Sequence, residues 1–315
     1  MKILVTGALG HIGSQLIRIL PDIFPAAQII MIDNMLTQRY CSLFNLPPQG
    51  NYSFSCTDIA TCDLNQLLDG IDVVIHLAAI TDATTSFAHR DAVEEINYAA
   101  TARLAEGCAR NGCRLIFIST TSVYGSQSDV VDEACPITEL IPQSPYAESK
   151  LKAEQMLQQE GAAMGLRFVI LRFGTIFGIS PGMRFHTAIN KFVWQANLGE
   201  PITVWRTALH QHRPYLDLSD AVTALAFVIK QDLFNTEIFN VLTLNATVNQ
   251  IVEEIKKEFP SLQVTFVDTE IMNQLSYHVS RAKLESKGFT FNGSLEQGVR
   301  ATCHLLRQMN SLPKR

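Results

Sequence analysis

A glycine-rich turn directly follows the first apolar run of the chain. The run "KILVTG" (2–7) leads into "TGALGHIG", which places Gly7, Gly10 and Gly13 in a G-x-x-G-x-x-G spacing at the start of the amphipathic stretch 11–20. Glycine allows a tight turn and a close backbone approach, and the free N–H groups of a helix N-terminus attract phosphate. The glycines could serve only to shape the turn, but their place after a first strand favours a phosphate-binding loop.

Short apolar runs alternate with longer amphipathic stretches throughout the first half of the chain. The runs are nearly continuous in Val, Ile and Leu, which is typical of parallel strands covered on both faces. Alternation at this spacing predicts a doubly wound parallel sheet of the Rossmann type. Helices are predicted at 11–20, 91–110 and 145–161, and strands at 2–7, 28–33, 52–56, 72–79, 114–120 and 167–173.

After about Gly174 the alternation becomes less regular. We predict a helix at 187–198, a strand at 202–205, a polar loop "HQHRPYLDLSD" (210–220), a helix at 219–230, a strand at 237–241 and a last helix at 295–309. The fold class is therefore α/β, a doubly wound parallel sheet with a smaller C-terminal α/β substrate domain. The expected division is 1–174 for the cofactor domain, with 214–242 packing back on it, and 175–213 with 243–315 for the lid.

The composition excludes several functional classes. Apolar residues make up 47% of the 315 residues, and the net charge is −5 with no basic block, so no nucleic-acid partner is expected. The longest apolar runs fall short of a membrane span, which leads us to expect a cytoplasmic protein without a membrane partner. The seven cysteines and the "HQH" segment lack metal-site spacing, so no metal is predicted.

An acidic residue at the end of the second predicted strand indicates which dinucleotide the loop binds. Asp33 follows Gly13 by 20 residues, where a carboxylate accepts both ribose hydroxyls of an adenosine. The same carboxylate would repel a 2′-phosphate, which favours NAD over NADP. Asp58, just past the third strand, could be an ordinary loop acid, but in this series we predict that it faces the adenine.

A tyrosine and a lysine lie four residues apart in "SPYAESK". Pro145 suits the first position of a helix, which leaves Tyr146 and Lys150 on one helical face. A nearby cation lowers the pKa of a tyrosine, so we expect Lys150 to help Tyr146 act as a base towards a sugar hydroxyl. Thr120, at the end of the fifth strand, could hold that hydroxyl. A Y-x-x-x-K spacing also occurs by chance on many helices; the phosphate loop and Asp33 are what favour the catalytic interpretation.

Together these motifs resemble those of the extended short-chain dehydrogenases/reductases, in particular the NAD-dependent sugar-nucleotide epimerase/dehydratase family. The resemblance rests on "TGALGHIG", "DN", "DIA", "HLAA", "INYAAT", "STTSVYG", "PYAESK", "LRFGTIFG" and "HRPYLDLSD", and it covers nearly the whole chain. It implies that Tyr146, Lys150 and Thr120 are catalytic. It implies cofactor contacts by Gly7, Gly10, His11, Ile12, Gly13, Asp33, Asn34, Asp58, Ile59, Leu77, Ala78, Ala79, Asn97 and Lys150.

The resemblance also implies a nucleotide-sugar substrate and a homodimer formed through the helices at 91–110 and 145–161. The expected substrate contacts are Thr120, Ser122, Thr175, Arg184, Asn190, Arg213 and Tyr277, with Arg281 as an alternative to Tyr277.

Departures from the family pattern bear on the reaction. The 4,6-dehydratases carry an Asp-Glu pair after the catalytic threonine, and the uronate decarboxylases carry a glutamate there, whereas this chain has Thr121 and Ser122. Thr175 stands where hexose 4-epimerases usually have asparagine. We therefore expect a C4 epimerase that uses NAD. The alternatives are a 4-keto-sugar reductase or dehydrogenase, a 4,6-dehydratase, and a non-catalytic dinucleotide-sensing regulator.

Overall fold

The computed structural model describes residues 1–125, 130–268 and 276–307. The strands are β1 Lys2–Thr6, β2 Gln28–Asp33, β3 Asn51–Cys56, β4 Val73–His76, β5 Arg114–Thr120, β6 Val130–Val131, β7 Phe168–Phe173, β8 Thr175–Phe177, β9 Ile202–Trp205, β10 His212–Asp217, β11 Ile238–Val241, β12 Leu244–Thr247, β13 Val264–Val267 and β14 His278–Val279. The helices are α1 His11–Ile23, α2 Leu64–Leu68, α3 Arg90–Val93, α4 Ala100–Asn111, α5 Pro145–Met156, α6 Ala188–Asn197, α7 Leu218–Lys230, α8 Val248–Glu258, α9 Ala282–Ser286 and α10 Leu295–Arg307.

The central sheet has seven parallel strands in the order β11-β7-β5-β4-β1-β2-β3. From β1 the chain proceeds through β2 to β3 at one edge, and it then crosses to β4 on the other side of β1. The turns that follow β1 and β4 therefore lie side by side at the carboxyl edge. Doubly wound sheets bind ligands at such a switch point, so the topology alone places a site there.

Apolar helices cover both faces of the central sheet. On one face Leu16 of α1 and Leu225 of α7 pack against the strands, and on the other Leu104 of α4 and Ala153 of α5 do so. All four side chains are fully buried. Burial of a leucine side chain stabilises a fold by about 1.5–3 kcal/mol, so these faces fix the sheet on which the site is built.

The chain also forms smaller sheets outside the central one. Strands β8, β10 and β12 form a small sheet, and β9 pairs with β13. Phe192 of α6, Ile251 of α8 and Val299 of α10 belong to a separate apolar cluster. The capping box of Thr247 and Gln250 closes the first turn of α8.

The predicted fold class is confirmed, with corrections to individual elements. The six strands predicted in the first half are present, although β4 ends at His76 and not at residue 79. The predicted polar loop 210–220 is wrong over His212–Asp217, which form β10, because β8 and β12 pair with it on either side. Helix α1 runs to Ile23, three residues further than predicted. The end of the last predicted helix, 308–309, lies outside the described residues.

Two features are absent from the described ranges. None of their helices has both the length and the apolar character needed to span a bilayer. The same ranges contain no group of three or more His, Cys, Asp or Glu side chains placed to hold a metal ion. All seven cysteines are free thiols.

Candidate functional site

The first of two cavities, with a volume of about 390 Å³, lies over the turn after β1; we call it the phosphate-loop cavity. Most of its lining residues lie at or after the carboxyl ends of four neighbouring strands, β1, β2, β3 and β4. Nearly every predicted cofactor contact is among them: Gly7, Gly10, His11, Ile12, Gly13, Asp33, Asn34, Asp58, Ile59, Leu77, Ala78 and Ala79.

The turn between β1 and α1 requires glycine at two positions, because side chains there would clash with neighbouring backbone. Gly7 has φ +63°, and a Cβ on it would lie 2.7 Å from the Ala78 nitrogen. A Cβ on Gly13 would lie 2.6 Å from the carbonyl oxygens of Ala8 and Gly7. The N-cap residue of α1 is Gly10, whose position offers no side-chain cap. The first N–H groups of α1 are therefore available to the pyrophosphate of NAD.

The acidic end of β2 is held by backbone groups. Asp33 accepts hydrogen bonds from the Leu9 N–H at 3.1 Å and the Met35 N–H at 2.9 Å. Asn34 donates to Asp58 at 3.0 Å, so the two predicted adenosine contacts touch each other. These bonds fix the Asp33 carboxylate beside the phosphate loop, where the adenosine ribose of NAD would be bound.

The second cavity, about 490 Å³, lies at the carboxyl ends of β5 and β7; we call it the catalytic cavity. It brings together the three predicted catalytic residues, Thr120, Tyr146 and Lys150. Seven residues line both cavities, so the two are continuous: Ile12, Leu77, Ala79, Thr81, Asp82, Arg184 and His186. Of the predicted substrate contacts, the catalytic cavity holds Thr120, Ser122, Thr175, Arg184, Arg213 and Tyr277.

Helix α5 sets the positions of Tyr146 and Lys150. The Ser144 hydroxyl caps its first turn by accepting from the Ala147 N–H at 3.2 Å, and Pro145 occupies the first turn as predicted. The four-residue spacing then turns both side chains to the face that packs on β5. Lys150 is 2% exposed, and its Nζ lies 4.7 Å from the centre of the Phe117 ring.

Burial dominates the electrostatics of the pair. It raises the pKa of Tyr146, and the Arg184 charge and the Thr120 hydroxyl oppose that rise. It also lowers the pKa of Lys150, to about 7, and the Glu154 charge opposes that fall. Spacing along a helix shows that two groups share a face, but it does not report how much water the fold removes from them.

Hydroxyl groups line the side of the catalytic cavity next to Thr120. The Thr120 Oγ1 accepts from the Ser122 N–H at 3.1 Å. Burial raises the pKa of Tyr277, and hydrogen bonding to Thr121 and Ser122 opposes the rise. Tyr277 therefore interacts with the serine- and threonine-rich turn after β5.

Three proposed contacts do not reach a cavity. The Asn97 side chain is fully buried and bonds both the N–H and the carbonyl of Ile80, so it supports the turn after β4. The Asn190 side chain is fully buried and bonds the Gly178 N–H and the Arg184 carbonyl. Arg281 donates to the carbonyls of Leu242 and Thr243. Each side chain holds backbone that lies next to the site.

A segment between β8 and α6, residues 178–184, lies across the phosphate loop; we call it the clasp. Its bonds to α1 run from His11 to the Gly178 carbonyl at 2.8 Å and from the Gly182 N–H to Ser14 at 3.0 Å. Ser180 also donates to the His11 carbonyl at 2.9 Å. Arg184, at the end of the clasp, donates to Thr81 and lines both cavities.

Sequence reasoning missed several residues that line the cavities. Arg39 lines the phosphate-loop cavity, and Trp205 lines the catalytic cavity. Both lie outside the quoted motifs, Arg39 in a loop and Trp205 at a strand end, with no spacing signal to indicate them. His76 had a signal, since "HLAA" ends β4 at the carboxyl edge. Its ring bonds Thr6 and Thr101 at 2.8 and 3.0 Å.

Known proteins with similar sequences include proteins named as nucleotide-sugar epimerases and dehydratases. A protein of Bacillus subtilis named as an uncharacterized UDP-glucose epimerase is 35% identical over 239 residues, which are 73% of this chain and 72% of the relative. A trifunctional UDP-glucose 4,6-dehydratase, 3,5-epimerase and reductase of Arabidopsis thaliana is 30% identical over 96% of this chain. The chain spans about half the length of that relative, 46%.

A crystal structure with a similar fold contains a nucleotide sugar and NAD. It is the UDP-glucuronic acid 4-epimerase of Bacillus cereus in complex with UDP-glucuronic acid and NAD, with a TM-score of 0.89 and 28% identity, covering 98% of this chain and all of that one. The family model for the NAD dependent epimerase/dehydratase family matches residues 3–241 and includes the phosphate loop, Asp33 and the Tyr146–Lys150 pair. The resemblance inferred from the motifs is thus confirmed, and the chain belongs to the NAD dependent epimerase/dehydratase family.

Proposed function

We propose that this chain is an NAD-dependent nucleotide-sugar epimerase that inverts C4 through a 4-keto intermediate. The observation that carries the proposal is the convergence of Thr120, Tyr146 and Lys150 in one cavity that opens into the phosphate-loop cavity. A sugar in the catalytic cavity would lie between this triad and the nicotinamide end of a dinucleotide whose pyrophosphate is bound at α1. The similarity to NAD-containing 4-epimerases supports the same function.

The side chains divide the proton chemistry between them. The Tyr146 phenolate takes the proton of the C4 hydroxyl and returns a proton to the reduced product. The Thr120 hydroxyl holds the sugar oxygen beside Tyr146, and the Lys150 ammonium stabilises the phenolate. Bound NAD supplies the hydride acceptor for C4 and then the hydride donor, on the opposite face of the 4-keto sugar. No net oxidation occurs, because the hydride that leaves C4 returns to it.

The remaining lining residues suit a nucleotide diphosphate sugar. Arg213 and Arg184 bring two guanidinium groups to the cavity, and guanidinium groups pair well with phosphate oxygens. Ser122, Thr175 and Tyr277 offer hydroxyls to the sugar. The similar epimerases are named for UDP-glucose and UDP-glucuronic acid, so we propose a UDP sugar as the substrate.

The scarcity of carboxylates disfavours a dehydratase. Among the described residues that line the catalytic cavity, Asp82 is the only one with a carboxylate. A 4,6-dehydratase needs an acid and a base at the turn after Thr120, where Thr121 and Ser122 stand. A reductase would use the same triad, and the complete Tyr146–Lys150 pair disfavours a purely regulatory dinucleotide sensor.

Tyr146→Phe tests the function directly. The purified protein would be incubated with UDP-glucose, UDP-glucuronic acid and UDP-N-acetylglucosamine, and stereochemistry at C4 would be followed by NMR. We expect inversion by the wild type and a fall in kcat of about 10²–10⁴-fold in the variant, which is the usual contribution of a positioned base. Tyr98→Phe, a phenylalanine substitution outside both cavities, is the matched control. Full activity in a folded Tyr146→Phe protein would refute the mechanism.

The same samples separate the alternatives. A reductase would consume NADH or NADPH in proportion to product and would release its cofactor on dialysis. A dehydratase would produce a 6-deoxy-4-keto sugar with loss of water. If no nucleotide sugar changes while the protein still binds NAD, the regulatory alternative replaces the epimerase.

We also propose a cytoplasmic homodimer with a cofactor domain at 1–174, joined by 214–242, and a lid formed by 175–213 and 243–315. Seven free thiols support a reducing compartment. The separate apolar cluster around α6, α8 and α10 supports the lid. Ion pairs Arg90–Glu148 and Lys152–Glu94 tie together the two helical segments of the proposed dimer face. Light scattering of the purified protein would give the oligomeric state.

A further inference from the structure

Helix α5 carries a third buried polar residue on the face of the catalytic pair. Tyr146, Lys150 and Glu154 follow one another at four-residue intervals, and Glu154 is 2% exposed. Arg172 of β7, 3% exposed, meets it with two nitrogens. The Nε lies 3.0 and 3.2 Å from the two carboxylate oxygens, and Nη2 lies 2.6 Å from Oε2. Both oxygens of Glu154 are thereby fixed one helical turn from Lys150.

The ion pair is itself held in place from the other side. The Arg172 guanidinium lies over the Tyr124 ring, 4.9 Å from its centre. The Tyr124 hydroxyl donates to the Asn240 side chain of β11 at 2.9 Å. Tyr124 also contacts Tyr277, with ring centres 6.4 Å apart. A continuous set of contacts therefore runs from α5 through β7 and back to the wall of the catalytic cavity.

The other groups that face Lys150 do not offer a negative charge. His76 of β4 lies near it, and burial together with the Lys150 charge lowers the pKa of that imidazole to about 3, so the ring is neutral. On β5 the neighbour is the Phe117 ring. On α5 itself the neighbours are Tyr146 and Glu154. Among the described residues, Glu154 is thus the carboxylate that acts on the Lys150 ammonium.

We propose that Glu154, fixed by Arg172, is a positioning residue that keeps Lys150 charged beside Tyr146. The inference rests on the proposed function, since it assigns Lys150 the task of stabilising the phenolate. Burial lowers the pKa of Lys150 and the Glu154 charge opposes that effect. Without Glu154, Lys150 would lose its proton at a lower pH, and Tyr146 would lose the cation that favours its phenolate.

Stability alone is a poor explanation for such a pair. A buried ion pair is often no more stabilising than apolar side chains of the same volume, because both charges lose their hydration. Glu154 and Arg172 are both almost fully buried, so both charges have lost their hydration. A task for the Glu154 charge at Lys150 accounts for the pair.

Direct titration of Lys150 tests the proposal without requiring turnover. Protein labelled with ¹³C at lysine Cε would be titrated by NMR, and the Lys150 signal would be assigned by its loss in Lys150→Met. The variants are Glu154→Asp, which keeps the charge but shortens the side chain, and the double variant E154M/R172M, which removes both charges and leaves no unpaired one. We expect the Lys150 pKa to fall by about 1 unit in the double variant and by less in Glu154→Asp.

Activity against pH gives the second readout. Weaker charging of Lys150 lowers the fraction of enzyme in which Tyr146 is deprotonated while Lys150 is protonated. The limb of the kcat profile that reports Lys150 should therefore move to lower pH in the double variant. A structural role would lower kcat without moving either limb. An unchanged Lys150 pKa in folded E154M/R172M, or in Glu154→Asp if the double variant does not fold, would overturn the proposal. A shifted pKa in a protein that epimerises no sugar would uphold it and refute the proposed function.

Discussion

Gly7 and Gly112 share a backbone conformation but differ in their surroundings. Both have positive φ, +63° and +69°, where an L side chain costs about 1–2 kcal/mol. Nothing lies within 4 Å of a Cβ on Gly112, whereas a Cβ on Gly7 would lie 2.7 Å from the Ala78 nitrogen. We therefore predict that Gly7→Ala separates the turns after β1 and β4 and abolishes NAD binding. Gly112→Ala should lower the free energy of unfolding only by the strain.

Urea unfolding and NAD titration of the two variants would check this prediction. Gly112→Ala is the control, since it carries the same backbone penalty without the contact. Equal losses of stability with NAD binding retained in Gly7→Ala would show that the close approach to Ala78 has no role in the cofactor site.

The sequence predicts the position of a side chain well when that position depends only on neighbouring residues. Tyr146 and Lys150 were predicted because four residues of helix put two side chains on one face, whatever the rest of the chain does. Arg39 and Trp205 were missed because no local pattern shows that the loop after β2 and the end of β9 turn towards the cavities. The pKa of Tyr146 cannot be predicted from spacing, because it depends on burial and on Arg184, 38 residues away along the chain.

At the scale of elements, the apolar strands of the central sheet were predicted, whereas the more polar strand β10 was not. Strands β1, β2, β5 and β7 are five to seven residues long and mostly apolar. Their burial could therefore be predicted from their own residues. β10 contains His212, Arg213 and Pro214, and it is a strand because β8 and β12 hydrogen-bond to it. Strand formation that depends on distant partners leaves little signal in the segment itself.

The clasp, residues 178–184, is hydrogen-bonded to α1 directly after the phosphate loop. Gly182 lies so close to this loop that a Cβ would be 2.3 Å from the Leu9 carbonyl oxygen and 2.6 Å from that of Gly10. We predict that Gly182→Ala lifts the clasp and weakens its bonds to His11 and Ser14. NAD should then dissociate faster, by about tenfold if one to two hydrogen bonds are lost.

Stopped-flow displacement of NAD would measure the rate. Gly161→Ala is the matched control, because a Cβ there meets Phe168 at an ordinary 3.4 Å. If Gly182→Ala releases NAD no faster than Gly161→Ala, the clasp does not retain the cofactor.

At the scale of the whole molecule, the switch point determines where the two cavities meet and which polar groups must be buried to form them. The site needs hydrogen-bonding groups at the carboxyl edge, yet the same edge is enclosed by the clasp and by α5. His11 and His76 are consequently 4% and 1% exposed. Burial lowers the pKa of each to about 3, with the Arg184 charge adding to the effect on His11 and the Lys150 charge to that on His76.

These two histidines predict how the stability of the fold depends on pH. Because their folded pKa values lie below the unfolded value near 6.5, the unfolded chain binds more protons, and stability is lost as the pH falls from about 6.5 towards 3. At pH 5 each histidine should cost about 1–2 kcal/mol relative to pH 7.5. The buried carboxyls Glu133 and Asp217 have raised pKa values and act in the opposite direction, so a comparison of variants is needed.

His76→Gln supplies that comparison, because glutamine can bond Thr6 and Thr101 but does not titrate. Urea unfolding at pH 7.5, 6 and 5 should show a smaller loss of stability on acidification in His76→Gln than in the wild type. His304→Gln, a change on the exposed side of α10, should leave the wild-type slope intact. Equal slopes in all three proteins would mean that His76 takes up its proton without unfolding of the switch point. The carboxyl edge of the sheet would then be less tightly enclosed than the burial of His76 indicates.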